Sequence, residues 1–103
     1  MPAYLIADIE VTDPEVYERY REAAGASLAA HGGRFVVRGG AAQVLEGDWT
    51  PRRLIVLEFG SLEAARSWYH SPEYTAAKEL RLRSADSRLV LVEGAEPPAD
   101  GEG

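Results

Sequence analysis

Pro51-Arg52-Arg53-Leu54-Ile55-Val56-Leu57-Glu58-Phe59-Gly60-Ser61 and, shortly after it, His70-Ser71-Pro72-Glu73-Tyr74 decide the fold. Arg53–Phe59 reads as a central strand, apolar on both faces. Ile55, Leu57 and Phe59 point one way, and Leu54, Val56 and Glu58 the other. Gly60-Ser61 ends the strand, and Ser61 is placed to cap a helix with the stripe Leu62, Ala65, Trp68 and Tyr69. Pro72 cannot continue that helix without losing a backbone hydrogen bond. Ser71 instead caps a new helix with Pro72 in its first turn. That helix carries Tyr74, Ala77, Leu80 and Arg81 and fades near Ser84.

Tyr4–Val11 reads as a first strand. Leu5, Ala7, Ile9 and Val11 fall on one face, and Tyr4, Ile6, Asp8 and Glu10 on the other. Thr12-Asp13-Pro14-Glu15 is a helix start. Either Thr12 caps, with Glu15 closing a capping box, or Asp13 caps and Pro14 takes the first helical position. The helix runs to about His31, with Tyr17, Tyr20, Ala24 and Leu28 on one stripe, and Gly32-Gly33 stops it. Arg34–Arg38 is a second strand. After the turn signal Gly39-Gly40, Gln43–Glu46 is expected to return as a short strand, making a hairpin. Residues 47–51 form a loop carrying Trp49, and Arg88–Glu93 is the last strand. The domain is expected to span residues 1–94, and residues 95–103, rich in Gly, Pro and acid, a disordered acidic tail.

The order strand, helix, strand with hairpin, strand, helix pair, strand repeats one theme twice, a strand followed by a capped X-Pro-Glu helix. This is the split βαβ pattern of an α+β, ferredoxin-like βαββαβ domain with an antiparallel sheet. Right-handed crossovers put its helices on one face. Leu5, Ala7, Ile9, Ile55, Leu57 and Phe59 suit that covered face. Tyr4, Ile6, Leu54 and Val56 remain on the other, joined by either Leu89 and Leu91 or Val90 and Val92. Each such side chain contributes about 1.5–3 kcal/mol on burial. A contiguous apolar patch of this kind marks an interface, and sheet against sheet across a two-fold axis is the simplest way to cover it.

Composition narrows the function classes. The chain of 103 residues is one small domain with formal net charge −6 and an isoelectric point of about 4.9. It lacks the basic footprint that nucleic acid requires. With no cysteine, disulfides, thiolate metal sites and a Cys nucleophile are excluded. No run approaches the ~20 apolar residues of a membrane span, and the N-terminus has no basic region ahead of an apolar one, so cytoplasmic residence is the expectation.

Many short segments, in order, resemble one family: Tyr4-Leu-Ile-Ala-Asp-Ile-Glu10, Asp13-Pro14-Glu15, Gly32-Gly33-Arg34, Arg38-Gly39-Gly40, Leu45-Glu46-Gly47-Asp48-Trp49, Trp68–Tyr74 and Ala85-Asp86-Ser87-Arg88. Together with Pro51-Arg52-Arg53 and Glu58-Phe59, they are similar to the domain-of-unknown-function family 1330 over about residues 3–94. The resemblance implies a dimeric α+β barrel, in which two ferredoxin-like subunits pack sheet to sheet. Relatives within that superfamily include cofactor-free quinol-type monooxygenases, muconolactone isomerase, stress-responsive barrel proteins and haem-dependent chlorite dismutases. Such diversity transfers a fold, not a reaction.

The residues supply weak catalytic candidates and a set of ligand-binding ones. Asp8 and Glu58 fall on the same face of neighbouring strands, where two carboxylates can share a proton. The structural alternative pairs each with an arginine, such as Arg53, Arg38 or Arg88. Asp86 is the third candidate, although just before the last strand it can simply make a local turn bond. Tyr20, Trp68, Tyr69 and Tyr74, with Tyr17, can line a cavity between helices and sheet or form plain core. Arg38, Arg81 and Ser87 are the polar groups expected around such a cavity, since Arg suits a carboxylate or enolate. His31 at a helix end fits the helix dipole. With His70 it makes no metal signature, and haem ligation by either is disfavoured. No phosphate loop is present. No metal or cofactor is expected.

Two functions are consistent with this reading. One is a homodimer that binds a small, partly apolar or anionic molecule and transforms it, if at all, without a cofactor. The other is a non-enzymatic interaction or regulatory dimer.

Overall fold

The computed structural model describes residues 1–96. The expected tail therefore lies, from residue 97 on, outside the described residues. The elements are β1 (Ala3–Val11), α1 (Pro14–Ala30), β2 (Arg34–Arg38), β3 (Leu54–Phe59), α2 (Leu62–Tyr69), α3 (Pro72–Ser84) and β4 (Ala85–Glu93). Four strands form one antiparallel sheet in the order β2-β3-β1-β4. The expected ferredoxin-like α+β architecture is the one found.

The helix starts follow the local chemistry. Asp13, not Thr12, caps α1: its carboxylate accepts from the Val16 amide at 3.3 Å, with Pro14 in the first turn. Ser61 caps α2, and Ser71 caps α3 by accepting from the Tyr74 amide at 3.1 Å. The amides of Thr12 and Asp13 donate to the Ser84 carbonyl at 2.7 and 3.0 Å, which ties the start of α1 to the end of α3. Gly32, at φ +73°, turns the chain out of α1 into β2.

All three helices bury their apolar stripes against one sheet face. Leu5, Ala7, Ile9, Ile55, Leu57 and Phe59 form the floor of that core, with Tyr17, Tyr20, Trp68 and Tyr74 above them. The opposite face is open. Register puts Val37, Val56, Ile6 and Val90 in one row across all four strands, with Tyr4 and Val92 alongside. In β4 it is thus Val90 and Val92 that face outward, while Leu89 and Leu91 pack against the core.

Two expectations about strands are corrected. Gln43–Glu46 forms no strand; it lies in an exposed connection between β2 and β3, with Leu45 84% exposed. Its apolar residues find no sheet face to cover, and a hairpin strand without burial is marginal. The last strand starts at Ala85 rather than Arg88, because the long β1 offers backbone partners through Val11. Asp86 therefore sits inside β4. No helix among the described residues is long and apolar enough to cross a membrane.

Candidate functional site

A cavity of about 50 Å3 opens between α1 and the helix-covered sheet face. Leu5, Ala7, Ile9, Ile55 and Leu57 supply its apolar floor. Tyr17, Tyr20 and Leu28 come from α1, and Trp68 and Tyr74 close it from α2 and α3. Its charged members are three arginines: Arg21 on α1, Arg38 at the end of β2 and Arg53 just before β3. No carboxylate or imidazole lines it.

The aromatic wall is held by hydrogen bonds as well as packing. Trp68 and Tyr74 rings lie 4.0 Å apart between centroids, and Phe59 and Trp68 rings 5.4 Å. The Trp68 indole donates to the Ser27 hydroxyl at 3.0 Å, and that hydroxyl donates in turn to the Ala24 carbonyl at 2.8 Å. Tyr20 and Tyr74 oxygens meet at 2.9 Å. Behind them Arg81, only 4% exposed, donates through Nε to the Tyr74 oxygen at 3.3 Å and through Nη1 to the Ser87 hydroxyl. No carboxylate pairs with this buried guanidinium among the described residues.

The Tyr74 oxygen accepts from Arg81 and shares a hydrogen bond with the Tyr20 hydroxyl, in which either phenol can be the donor. Burial raises the Tyr20 pKa, with the Tyr74 oxygen adding to the effect, so the phenol stays protonated. Burial pulls Arg81 downward, but the oxygens of Tyr74 and Tyr20 outweigh it and the net shift is upward.

The structure brings only some of the sequence candidates together. Tyr20, Arg38, Trp68 and Tyr74 border the cavity, and Arg81 and Ser87 stand behind its wall. Tyr69 does not border it. Its ring packs on Trp68 and Tyr74 and faces a separate depression beside Arg66, His70 and Leu89–Leu91.

Asp8, Glu58 and Asp86 lie away from the cavity, on the open sheet face. The idea that Asp8 and Glu58 share a proton is corrected. Asp8 stands opposite Leu54 and Glu58 opposite Tyr4, four positions apart, about 13 Å at ~3.3 Å per residue. Glu58 accepts from Arg34 at 2.6 Å and from the Tyr4 hydroxyl at 3.0 Å; those contacts hold its carboxyl below the usual range. Asp8 accepts from the Arg52 amide at 2.9 Å and the Trp49 indole at 3.1 Å, and the Arg52 amide is the main reason its carboxyl is lowered too. Glu58 thus pairs with Arg34, outside the arginines expected, whereas two of the expected ones bear on Asp8: Arg88, its register partner on β4, lowers it through its charge, and Arg53 through its backbone. Asp86 belongs to a polar hollow with Asp8, Glu10, Thr50, Arg52 and Arg88. A strand beginning at Arg88 would leave Asp86 in a turn, free to approach the cavity; inside β4 its side chain alternates to the other face.

His31 bonds the Ser27 carbonyl through Nδ1 at 2.9 Å, within its own helix, and His70 is exposed at the α2–α3 junction. No group of three or more metal-ligating side chains occurs among the described residues.

Arg53 and Arg21 are cavity residues that the sequence reading does not single out. The signal for Arg53 is the strand alternation itself: it shares parity with Ile55, Leu57 and Phe59 and so has to face the helices. Arg21 sits one turn from Tyr17 on the cavity side of α1, but an Arg at that spacing reads equally as a solvated helix flank.

The chain belongs to the domain-of-unknown-function family DUF1330, whose model matches residues 2–95. Among solved structures, a protein of unknown function from Rhodopseudomonas palustris is similar at 22% identity and TM-score 0.76, covering 93% of this chain and 84% of that one. SnoaB, a cofactor-independent oxygenase from Streptomyces nogalater, is 15% identical with TM-score 0.63 over 93% of this chain and 95% of its own. A dimeric ferredoxin-like protein of unknown function from Jannaschia sp. CCS1 is 17% identical with TM-score 0.64 over 91% and 100%. No curated protein matches. At these identities the likeness establishes the fold.

Proposed function

We propose that this protein is a cytoplasmic homodimer that holds a small, partly apolar or anionic molecule in the cavity between α1 and the sheet. The observation that carries the reading is the composition of that cavity, with an aliphatic floor, an aromatic wall and only phenol, indole and guanidinium groups as its polar members. These groups donate hydrogen bonds at neutral pH and take no protons, so they suit holding an oxygen-bearing ligand more than abstracting a proton from it. Any transformation would then draw its reactivity from the ligand; SnoaB, of similar fold, is described as a cofactor-independent oxygenase. Dimerisation through the open sheet face is favoured by the exposed row of Ile6, Val37, Val56 and Val90, and similar folds are described as dimeric.

The test is native mass spectrometry of freshly purified protein, followed by titration with aromatic acids and quinols read by thermal shift. Trp68 fluorescence in a Trp49→Phe background reports on the cavity directly, since Trp49 is exposed and Trp68 lines the site. A ligand at about 100 times its Kd stabilises the folded state by about 2.7 kcal/mol. No adduct and no shift across the panel, with Trp68 emission unmoved, would show that side chains simply fill the cavity. The second reading, a purely interacting or regulatory dimer, would then stand.

A further inference from the structure

The charge of the cavity rim runs against the charge of the chain. The protein carries 17 acidic and 11 basic residues, yet the cavity is bordered by three arginines and no acid. Arg21 is compensated by Glu18 at 3.1 Å. Arg38 and Arg53 have no carboxylate partner among the described residues. Arg38 instead lies over the Phe35 ring, 4.2 Å from its centroid, an arrangement that fixes the guanidinium without neutralising it.

Arg53 is the more constrained of the two. Its Nε is buried and makes no hydrogen bond, the one such side-chain atom found among the described residues. Buried orphan donors of this kind are rare and call for an acceptor, the more so when the donor carries charge. Its guanidinium rests directly on Gly39, where a Cβ would come within 2.5 Å of Nη1, and Gly39 has φ +69°. The chain thus keeps a side chain out of the way at Gly39, and Arg53 occupies the space. Arg81 behind the wall adds a further uncompensated positive charge.

We infer that Arg53 and Arg38 form an anion subsite at the rim of the cavity, and that the ligand is a carboxylate with a small apolar or aromatic body. The inference rests on the binding reading above and makes it specific. The carboxylate is met by the Arg53 and Arg38 guanidinium groups that border the cavity and have no carboxylate of their own among the described residues. The enclosed volume, about 50 Å3, is smaller than a benzene ring needs, so the body of the ligand sits in the open mouth of the cavity and reaches the aliphatic floor only with its edge.

Benzoate and benzamide separate the inference from the reading it rests on, because they match in shape and differ in charge. Binding is measured by amide chemical shifts of isotope-labelled protein and by Trp68 fluorescence in the Trp49→Phe background. Benzoate should bind at least about tenfold tighter than benzamide, the equivalent of one charge-assisted bond. Arg53→Gln and Arg38→Gln should each weaken benzoate by about tenfold and leave benzamide within about twofold, while Arg53→Lys should recover part of the loss. Arg38 is exposed, so its variant separates lost binding from lost folding. Equal binding of the two probes overturns the anion subsite and leaves an apolar binding cavity. A preference for benzoate that survives both Gln substitutions places the anion elsewhere and also overturns it. Failure of both probes to bind removes the subsite and the binding reading together.

Discussion

The Tyr20 and Tyr74 hydroxyls, 54 residues apart in sequence, sit 2.9 Å apart in the core and join the first crossover helix to the last. Tyr74 is the hinge of this arrangement. It is fully buried and stands between the buried Arg81 and the cavity. A guanidinium with no carboxylate is an expensive occupant of a core, and here its donors are met by neutral hydroxyls. Arg81 Nε donates to the Tyr74 oxygen, and Tyr74 and Tyr20 share the next hydrogen bond toward the cavity.

Removing the two hydroxyls should therefore not be equivalent. Tyr74→Phe strips Arg81 Nε of its acceptor and should cost about 1–3 kcal/mol, the penalty of an unsatisfied buried donor. Tyr20→Phe leaves the Arg81 bond in place and should cost about 0.5–1.5 kcal/mol. Urea denaturation at constant m-value measures both. A larger loss for Tyr20→Phe would show that the bond between the phenols outweighs the Arg81 contact.

The pH dependence of stability comes from the open face. Asp8 and Glu58 both have carboxyls held below their ordinary values of 3.8 and 4.5 in the folded chain. The unfolded chain therefore binds more protons than the folded one in acid. The stabilisation these groups give is present above their ordinary values and is lost as pH falls through their folded values. Stability should be flat with respect to these two groups from about pH 8 to about pH 5 and decline below about pH 4. Glu58→Gln should flatten part of that acid limb. An acid limb identical in the variant and the parent would show that the Arg34 and Tyr4 contacts contribute nothing.

Much of the fold is legible in the sequence because several independent signals agree. The Asp13-Pro14, Ser61 and Ser71-Pro72 starts mark where helices begin, and alternation in β1 and β3 sets which residues face them. What fails has weak local signals. The connection 43–46 contains strand-forming residues, but propensity without a face to bury does not make a strand. Asp86 and Ser87 are strand residues only because β1 pairs with them, which nothing local announces. The site is less legible than the fold for a related reason. Arg53 follows Arg52 and looks like half of a solvated pair, yet alternation sends them to opposite faces, Arg52 toward Glu10 and Arg53 into the cavity rim.

Gly33 offers a test of how closely α1 is seated on the sheet. A Cβ there would collide with the Leu28 side chain and approach Phe59 Cε1 to 2.7 Å. Both neighbours are core residues, 3% and 2% exposed, and cannot swing into solvent. Gly33→Ala should cost about 1–3 kcal/mol, the usual penalty of overpacking, and should shift the resonances of Leu28 and Phe59. A neutral outcome would mean that the junction between α1 and β2 yields more readily than its packing implies.

The remaining prediction concerns the uncovered side of the sheet. Val56 stands in the row with Val37, Ile6 and Val90, at the centre of the broad apolar surface that the described residues leave open. If a second copy covers that row, Val56→Asp buries a carboxylate with no cation opposite it, at a cost of several kcal/mol. Light scattering on eluting protein should then give the monomer mass, or aggregate, where the parent gives a dimer. Leu82→Asp is the matched control, since Leu82 is 61% exposed on α3, which packs on the other side of the sheet, and should leave assembly untouched. A Val56→Asp protein that remains dimeric would move the interface off the sheet face, and Ile6 and Val90 would then have to be accounted for as solvent-facing residues.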